Sequence, residues 1–115
     1  DLVVVKAAPL GGVRSALDLV AECGLPAVVS SALDTSVGMA AGVALAAALP
    51  ALPYACGLGT IALLEGDVSS SSLVPRGGLL TPGRPPVDEA LLERWAATPD
   101  RLAWWHERVA ACWEA

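Results

Sequence analysis

Two alternating rhythms of apolar and polar positions run through the first sixty residues. Leu2-Val3-Val4-Val5 is a continuous apolar run ending at Lys6, the pattern of a strand buried on both faces. Gly12 opens a segment in which Val13, Ala16, Leu17 and Val20 recur at i, i+3, i+4 and i+7. Arg14, Ser15, Asp18 and Glu22 take its other side, so the spacing predicts an amphipathic helix, closed by Gly24 where a left-handed cap is wanted. Pro26-Ala27-Val28-Val29-Ser30-Ser31 then reads as a second buried strand. Asp34, Thr35 and Ser36 offer N-caps for a helix running to about Leu49, in which Gly38 and Gly42 allow close approach to a sheet. After Pro50 and Pro53, Tyr54-Ala55-Cys56-Gly57 gives a third short strand, and Gly57-Leu58-Gly59-Thr60 the loop beyond it.

Strand, helix, strand, helix, strand is the signature of successive βαβ units, whose right-handed crossovers make the strands parallel neighbours. Each strand ends in polar or glycine residues at its C-terminal edge: Lys6, then Ser30 and Ser31, then Gly57 with Gly59. In α/β barrels and open α/β sheets that edge carries the active site.

From Glu65 the character changes. Residues 1–66 form the α/β portion, 67–86 a Ser-, Gly- and Pro-rich linker and arm, and 87–115 a pair of C-terminal helices. Asp67-Val68-Ser69-Ser70-Ser71-Ser72 reads as a polar linker, and Gly77-Gly78-Leu79-Leu80 as an edge strand or extended arm. Leu73-Val74-Pro75-Arg76-Gly77 also matches a protease site used in expression tags; the match reads as coincidental because the residues continue smoothly into a natural-looking arm, with an engineered scar as the alternative reading. A helix from about Val87 to Ala97 turns Leu91, Leu92 and Trp95 inward. Thr98 and Asp100 cap a last helix with Leu102, Trp105, Val109 and Cys112 on one face.

Composition narrows the function classes. The 115 residues suit one small domain, and 55% are hydrophobic with no phenylalanine, so the core rests on Ala, Leu and Val. A formal charge of -5 with six scattered arginines argues against nucleic acid. Val37 to Leu49 is too short for the roughly 20 residues that cross a bilayer, which argues against a membrane partner. Cys23, Cys56 and Cys112, widely spaced and odd in number, read as buried reduced thiols of a cytoplasmic protein. No signal peptide is expected, and a first residue of Asp rather than Met leads us to expect a fragment or processed product.

Lys6 is the only lysine. At the end of a buried strand its amine can serve as acid, base or fixed cation, roles arginine fills less well because it hardly deprotonates. Taken alone, a strand that has simply ended with the amine reaching water explains it equally well. Trp104-Trp105-His106 fits helical spacing better than a ligand cluster, since no second His or Cys stands at metal-ligand spacing. Gly57-Leu58-Gly59-Thr60 lacks the remaining residues of a phosphate loop.

The run Val5-Lys6-Ala7-Ala8-Pro9-Leu10-Gly11-Gly12, followed by Val29-Ser30-Ser31-Ala32-Leu33-Asp34-Thr35-Ser36-Val37-Gly38 and Tyr54-Ala55-Cys56-Gly57-Leu58-Gly59-Thr60, resembles the C-terminal part of the o-succinylbenzoate synthases of the enolase superfamily, in their actinobacterial form. The resemblance implies an α/β fold, the last two and a half βα units of a modified (β/α) TIM-type barrel, with the tail packing beside an N-terminal capping domain. It implies a carbon–oxygen lyase that dehydrates 2-succinyl-6-hydroxy-2,4-cyclohexadiene-1-carboxylate to o-succinylbenzoate in menaquinone biosynthesis. In the enolase superfamily such a reaction starts with removal of a proton α to a carboxylate while a divalent metal, Mg²⁺, stabilises the ene-diolate. On this likeness Lys6 is the proton acceptor or a cation stabilising the intermediate. Ser30 and Ser31, with Gly57 after the third strand, hold the carboxylate substrate, and Gly11 and Gly12 keep their loop low enough for substrate to approach. The Lys-x-Lys element and the metal carboxylates of the family have no counterpart here, and Asp34 is expected to cap the following helix or orient the Ser-Ser loop. A barrel of this kind needs about 250 residues, so the chain is expected to be inactive without the N-terminal barrel and capping domain that would be its partners. An N-acylamino acid racemase or dipeptide epimerase of the same superfamily, a non-catalytic interaction fragment, and an α/β nucleotide-binding module are the competing readings.

Overall fold

A computed structural model describes residues 1–114; Ala115, the end of the expected C-terminal helical segment, lies outside the described residues. Strand β1 (Val3–Val5) pairs in parallel with β2 (Ala27–Val29), Val3 opposite Ala27, Val4 opposite Val28 and Val5 opposite Val29. Between them runs α1 (Val13–Cys23), and after β2 comes α2 (Ser36–Ala48). The βαβ reading holds to this point. Ala16 is fully buried on the apolar stripe of α1, and Gly24 ends that helix at φ 63°, its N–H donating to the Val20 carbonyl.

Helix α2 is apolar on nearly every side because it is sandwiched: Met39, Gly42, Val43, Leu45 and Ala46 are buried against β2 and α1. A Cβ on Gly42 would lie 2.9 Å from Cδ2 of Leu58, so the glycine lets that side chain close over the helix without shifting. Both helices cover the face of the sheet that carries Val5, Ala27 and Val29. Val4, one residue along and on the opposite face, is 61% exposed. The expectation of a strand buried on both faces is therefore corrected: β1 is covered on one face only, and the molecule is a slab 20 Å thick in its shortest direction.

The expected third strand shrinks to a single parallel bridge, Ser30 with Gly57. Gly57 donates to Val29 O at 2.8 Å and accepts from Ser31 N–H at 3.0 Å, but Tyr54 and Ala55 lie exposed beyond that contact, so the ladder stops. A 3-10 turn, Thr60–Leu63, follows, with Ile61 in the core. The TIM-type barrel itself is not formed by these elements; what they form is α/β, with a small parallel sheet and four helices.

The polar linker is not a solvated tether. Asp67 and Ser69 are buried, because Asp67 is hydrogen-bonded to the start of α2. Past the arm, α3 (Glu89–Arg94) is capped by Asp88, whose carboxylate accepts from the N–H groups of Ala90 and Leu91. Helix α4 spans Pro99–Trp113. Neither buries a residue: Leu92, Trp95, Leu102, Trp105 and Val109 are exposed, against the inward placement expected from spacing alone. Trp95 does lie close against Gly66, where an added Cβ would collide with its indole ring. All three cysteines are free, but Cys23 and Cys112 are exposed and Cys56 half-buried, which corrects their reading as buried thiols.

Candidate functional site

The parallel register continues one step past the strands. Lys6 follows Val5 and Ser30 follows Val29, so both project on the open face of the sheet, beside Val4 and Val28. The Lys6 amine reaches across and donates to Ser30 Oγ at 3.2 Å and to the Ser31 carbonyl oxygen. Ser30 in turn donates to that same carbonyl at 3.3 Å.

Two of the tetrahedral positions on Nζ are thereby occupied. The third is free for a reactant: it carries a proton when the amine is an ammonium and the lone pair when it is neutral. The same geometry therefore serves a fixed cation or a base, and either would act from the same direction. Ala7, Ala8, Pro9, Ala32, Asp34 and Met39 complete the hollow around it, which has room for about one water molecule. These residues by themselves cannot enclose an organic acid.

The paired serines divide their work by strand alternation. Ser31 faces the helices and is buried, donating to Gly57 O at 3.0 Å. That uses its one proton, so the Thr60 hydroxyl 2.8 Å away is the donor in their contact. Only Ser30 presents its hydroxyl beside the amine. Gly57 backs it closely, since a Cβ there would stand 3.2 Å from Ser30 Oγ.

Gly11 and Gly12 do not line the hollow. Their N–H groups donate to Ala8 O and Ala7 O, at 3.1 and 2.9 Å, and their φ angles of 81° and 111° make the turn that folds the Lys6 loop back into α1. Asp34 accepts from Ala32 N–H at 2.9 Å, orienting the Ser30-Ser31 loop rather than capping α2.

The cap of α2 comes from elsewhere. Thr35 makes no side-chain cap bond; the Asp67 carboxylate accepts from Ser36 N–H at 3.0 Å, from the Ser36 hydroxyl, and from Val68 N–H at 2.8 Å. Ser36 Oγ also accepts from Leu73 N–H at 2.8 Å. Burial works to raise the Asp67 carboxyl, but the bonds from Ser36, the nearby Ser72 hydroxyl and the two backbone N–H groups outweigh it and hold it below the usual carboxylate range. Spacing could not have found this residue, because its main partner is 31 residues away. Thr60 was visible only as part of a Gly-Leu-Gly-Thr turn.

Among the described residues no group of three His, Cys, Asp or Glu side chains is placed to hold a metal, and no helix is long and apolar enough to cross a membrane. No family model matches the chain. The o-succinylbenzoate synthase of Thermobifida fusca is 56% identical over 117 residues, a match covering 99% of this chain and 36% of that protein. Those of Mycobacterium ulcerans and Mycobacterium tuberculosis are 50% identical over 113 residues, covering 98% of this chain and 34% of theirs. The chain spans about a third of the length of these curated relatives. It is, over that third, a homologue of the o-succinylbenzoate synthases.

Proposed function

We propose that this chain is the C-terminal third of an o-succinylbenzoate synthase, a cytoplasmic dehydratase of menaquinone biosynthesis, and that Lys6 is its contribution to the chemistry. The observation that carries the reading is the Lys6–Ser30 pair, held at the C-terminal edge of parallel strands on a face the chain leaves open. A (β/α) barrel turns that face of its strands inward. Val4 and Val28 would then lie in the barrel interior, with Lys6 and Ser30 at its active-site mouth.

In this reading the free position on Lys6 Nζ meets the carbon α to the substrate carboxylate, as proton acceptor or as a cation beside the developing negative charge. The Ser30 hydroxyl and the backbone of the Ser30-Ser31 turn hold the succinyl carboxylate, while Ser31, Thr60 and Gly57 keep that turn in place. The described residues do not by themselves form a centre for Mg²⁺, so we place its ligands, with the capping domain and the other barrel strands, in the two-thirds of the relatives that this chain does not span. The chain alone would be inactive, and α3 and α4 would pack on the capping domain or barrel.

A chimera tests this directly. The aligned third of the Thermobifida fusca enzyme is replaced by this chain and assayed for dehydration with Mg²⁺. The expected result is activity that falls by at least about 10²-fold in Lys6→Ala, the scale of losing a positioned acid or base. Activity in the chimera indifferent to Lys6→Ala would remove Lys6 from the site.

A further inference from the structure

We propose that the Arg76–Gly77 peptide bond is a site of limited proteolysis, cut by arginine-specific serine proteases of the trypsin type while the rest of the chain stays folded. This stands apart from the enzymatic reading. Arg76 opens a two-residue hairpin: its N–H donates to Leu79 O and Leu79 N–H donates back to Arg76 O, both at 3.0 Å. Gly77 and Gly78 make the turn at φ 57° and 79°, and nothing lies within 4 Å of the Cβ position of either. Arg76 is exposed, Val74 is 46% exposed and Leu79 77%.

The chemistry of the segment matches what such a protease reads. An arginine cation seats in an acidic primary pocket. Pro75 before it presets an extended backbone, Val74 and Leu73 supply apolar contacts, and a glycine after it leaves the bond unobstructed. The bound segment must lie extended, so the hairpin has to open. One pair of backbone bonds holds it, and the two glycines adopt the extended form without strain.

The other basic residues are less available. Arg14 lies in α1, Arg94 in α3, and Arg101 and Arg108 in α4, where both guanidinium groups also sit over the Trp104 ring. Arg84 precedes Pro85, whose ring obstructs cleavage, and the Lys6 amine is engaged by Ser30 and Ser31. Among these residues Arg76 alone is exposed, outside the helices and followed by a residue other than proline.

The step balances as hydrolysis. The protease serine oxygen adds to the Arg76 carbonyl carbon and its histidine passes the serine proton to the Gly77 nitrogen. The C–N bond breaks, and water cleaves the acyl-enzyme to leave an Arg76 carboxylate and a Gly77 ammonium.

The test is brief digestion of the whole chain with trypsin and, separately, thrombin, read by intact mass. The expected first products are residues 1–76 and 77–115, forming at least about tenfold faster than any helical cut, since helical bonds are reached only through local unfolding. Arg76→Gln removes that pair of products. In urea the selectivity disappears and Arg14, Arg94, Arg101 and Arg108 are cut as well. A first cut at any other position in the native chain, or resistance at Arg76 where the urea-unfolded chain is cut, overturns the proposal from the unsubstituted chain alone.

Discussion

Replacing Asp67 by alanine removes the acceptor of three hydrogen bonds in one step: those of Ser36 N–H, the Ser36 hydroxyl and Val68 N–H. Ser36 is fully buried, so its N–H is left without a partner at the first turn of α2. An unsatisfied buried donor costs about 1–3 kcal/mol, and bonds to a charged acceptor sit at the upper end of that range. With the lost helix N-terminal charge, Asp67→Ala should destabilise the chain by about 3–5 kcal/mol, a large share of the roughly 5–15 kcal/mol that holds a domain together. Asp67→Asn keeps one oxygen for the two N–H groups, both of which go to Oδ1, and should lose only about 1–2 kcal/mol. Urea unfolding followed by circular dichroism measures both. The pH dependence gives a second handle. Because the carboxyl titrates lower in the folded chain than its ordinary value of about 3.9, its contribution is complete above that value and is lost as pH falls through the folded-state value. The difference between the unsubstituted chain and Asp67→Asn should therefore narrow in that acidic window. Asp67→Ala within about 0.5 kcal/mol of the unsubstituted chain, or Asp67→Asn as damaging as Asp67→Ala, would refute the reasoning.

The two serines should respond differently. Ser31→Ala leaves the Thr60 hydroxyl and one bond to Gly57 O unmade and should cost about 1–3 kcal/mol, whereas Ser30→Ala, on the open face, should cost less than about 1 kcal/mol; thermal unfolding of both variants decides it. Val4→Glu places a charge on a residue that is already mostly solvated, so the isolated chain should change by no more than about 0.5 kcal/mol. The same substitution should abolish activity in the chimera, where Val4 would be inside a barrel; unchanged chimera activity would count against that placement.

How much could be read in advance depended on how far each signal had to travel. The stripe Val13, Ala16, Leu17, Val20 and the glycine after it specify α1 and its cap from neighbours alone, and the structure agrees. The pairing of Lys6 with Ser30 followed from two strand ends and the parallel rule. Tyr54 to Gly57 misled because a short apolar run looks like a strand whether or not a neighbour is present to pair with it, and here only Gly57 meets β2. Asp67 lay in a stretch of serines whose composition suggests solvation, and its role depends on a contact with the start of α2 that no local pattern encodes. Leu92, Trp95 and Trp105 obeyed helical spacing, but spacing gives the face of a helix and not the surface that covers it.

The adjacent serines carry a hidden ambiguity. Sliding β2 along β1 by a single residue would bring the Ser31 hydroxyl to the amine in place of that of Ser30, while moving Val29 out of the interior, Val28 into it, and Ala32 to where Ser31 now meets Thr60. Such a misaligned form would keep a hydroxyl beside the amine and lose both the Thr60 contact and its packing. The burial of Ala27 and Val29 is therefore what singles out one alignment, since the bonds of Gly57 go to the backbone of Val29 and Ser31 and would form with any side chain at those places.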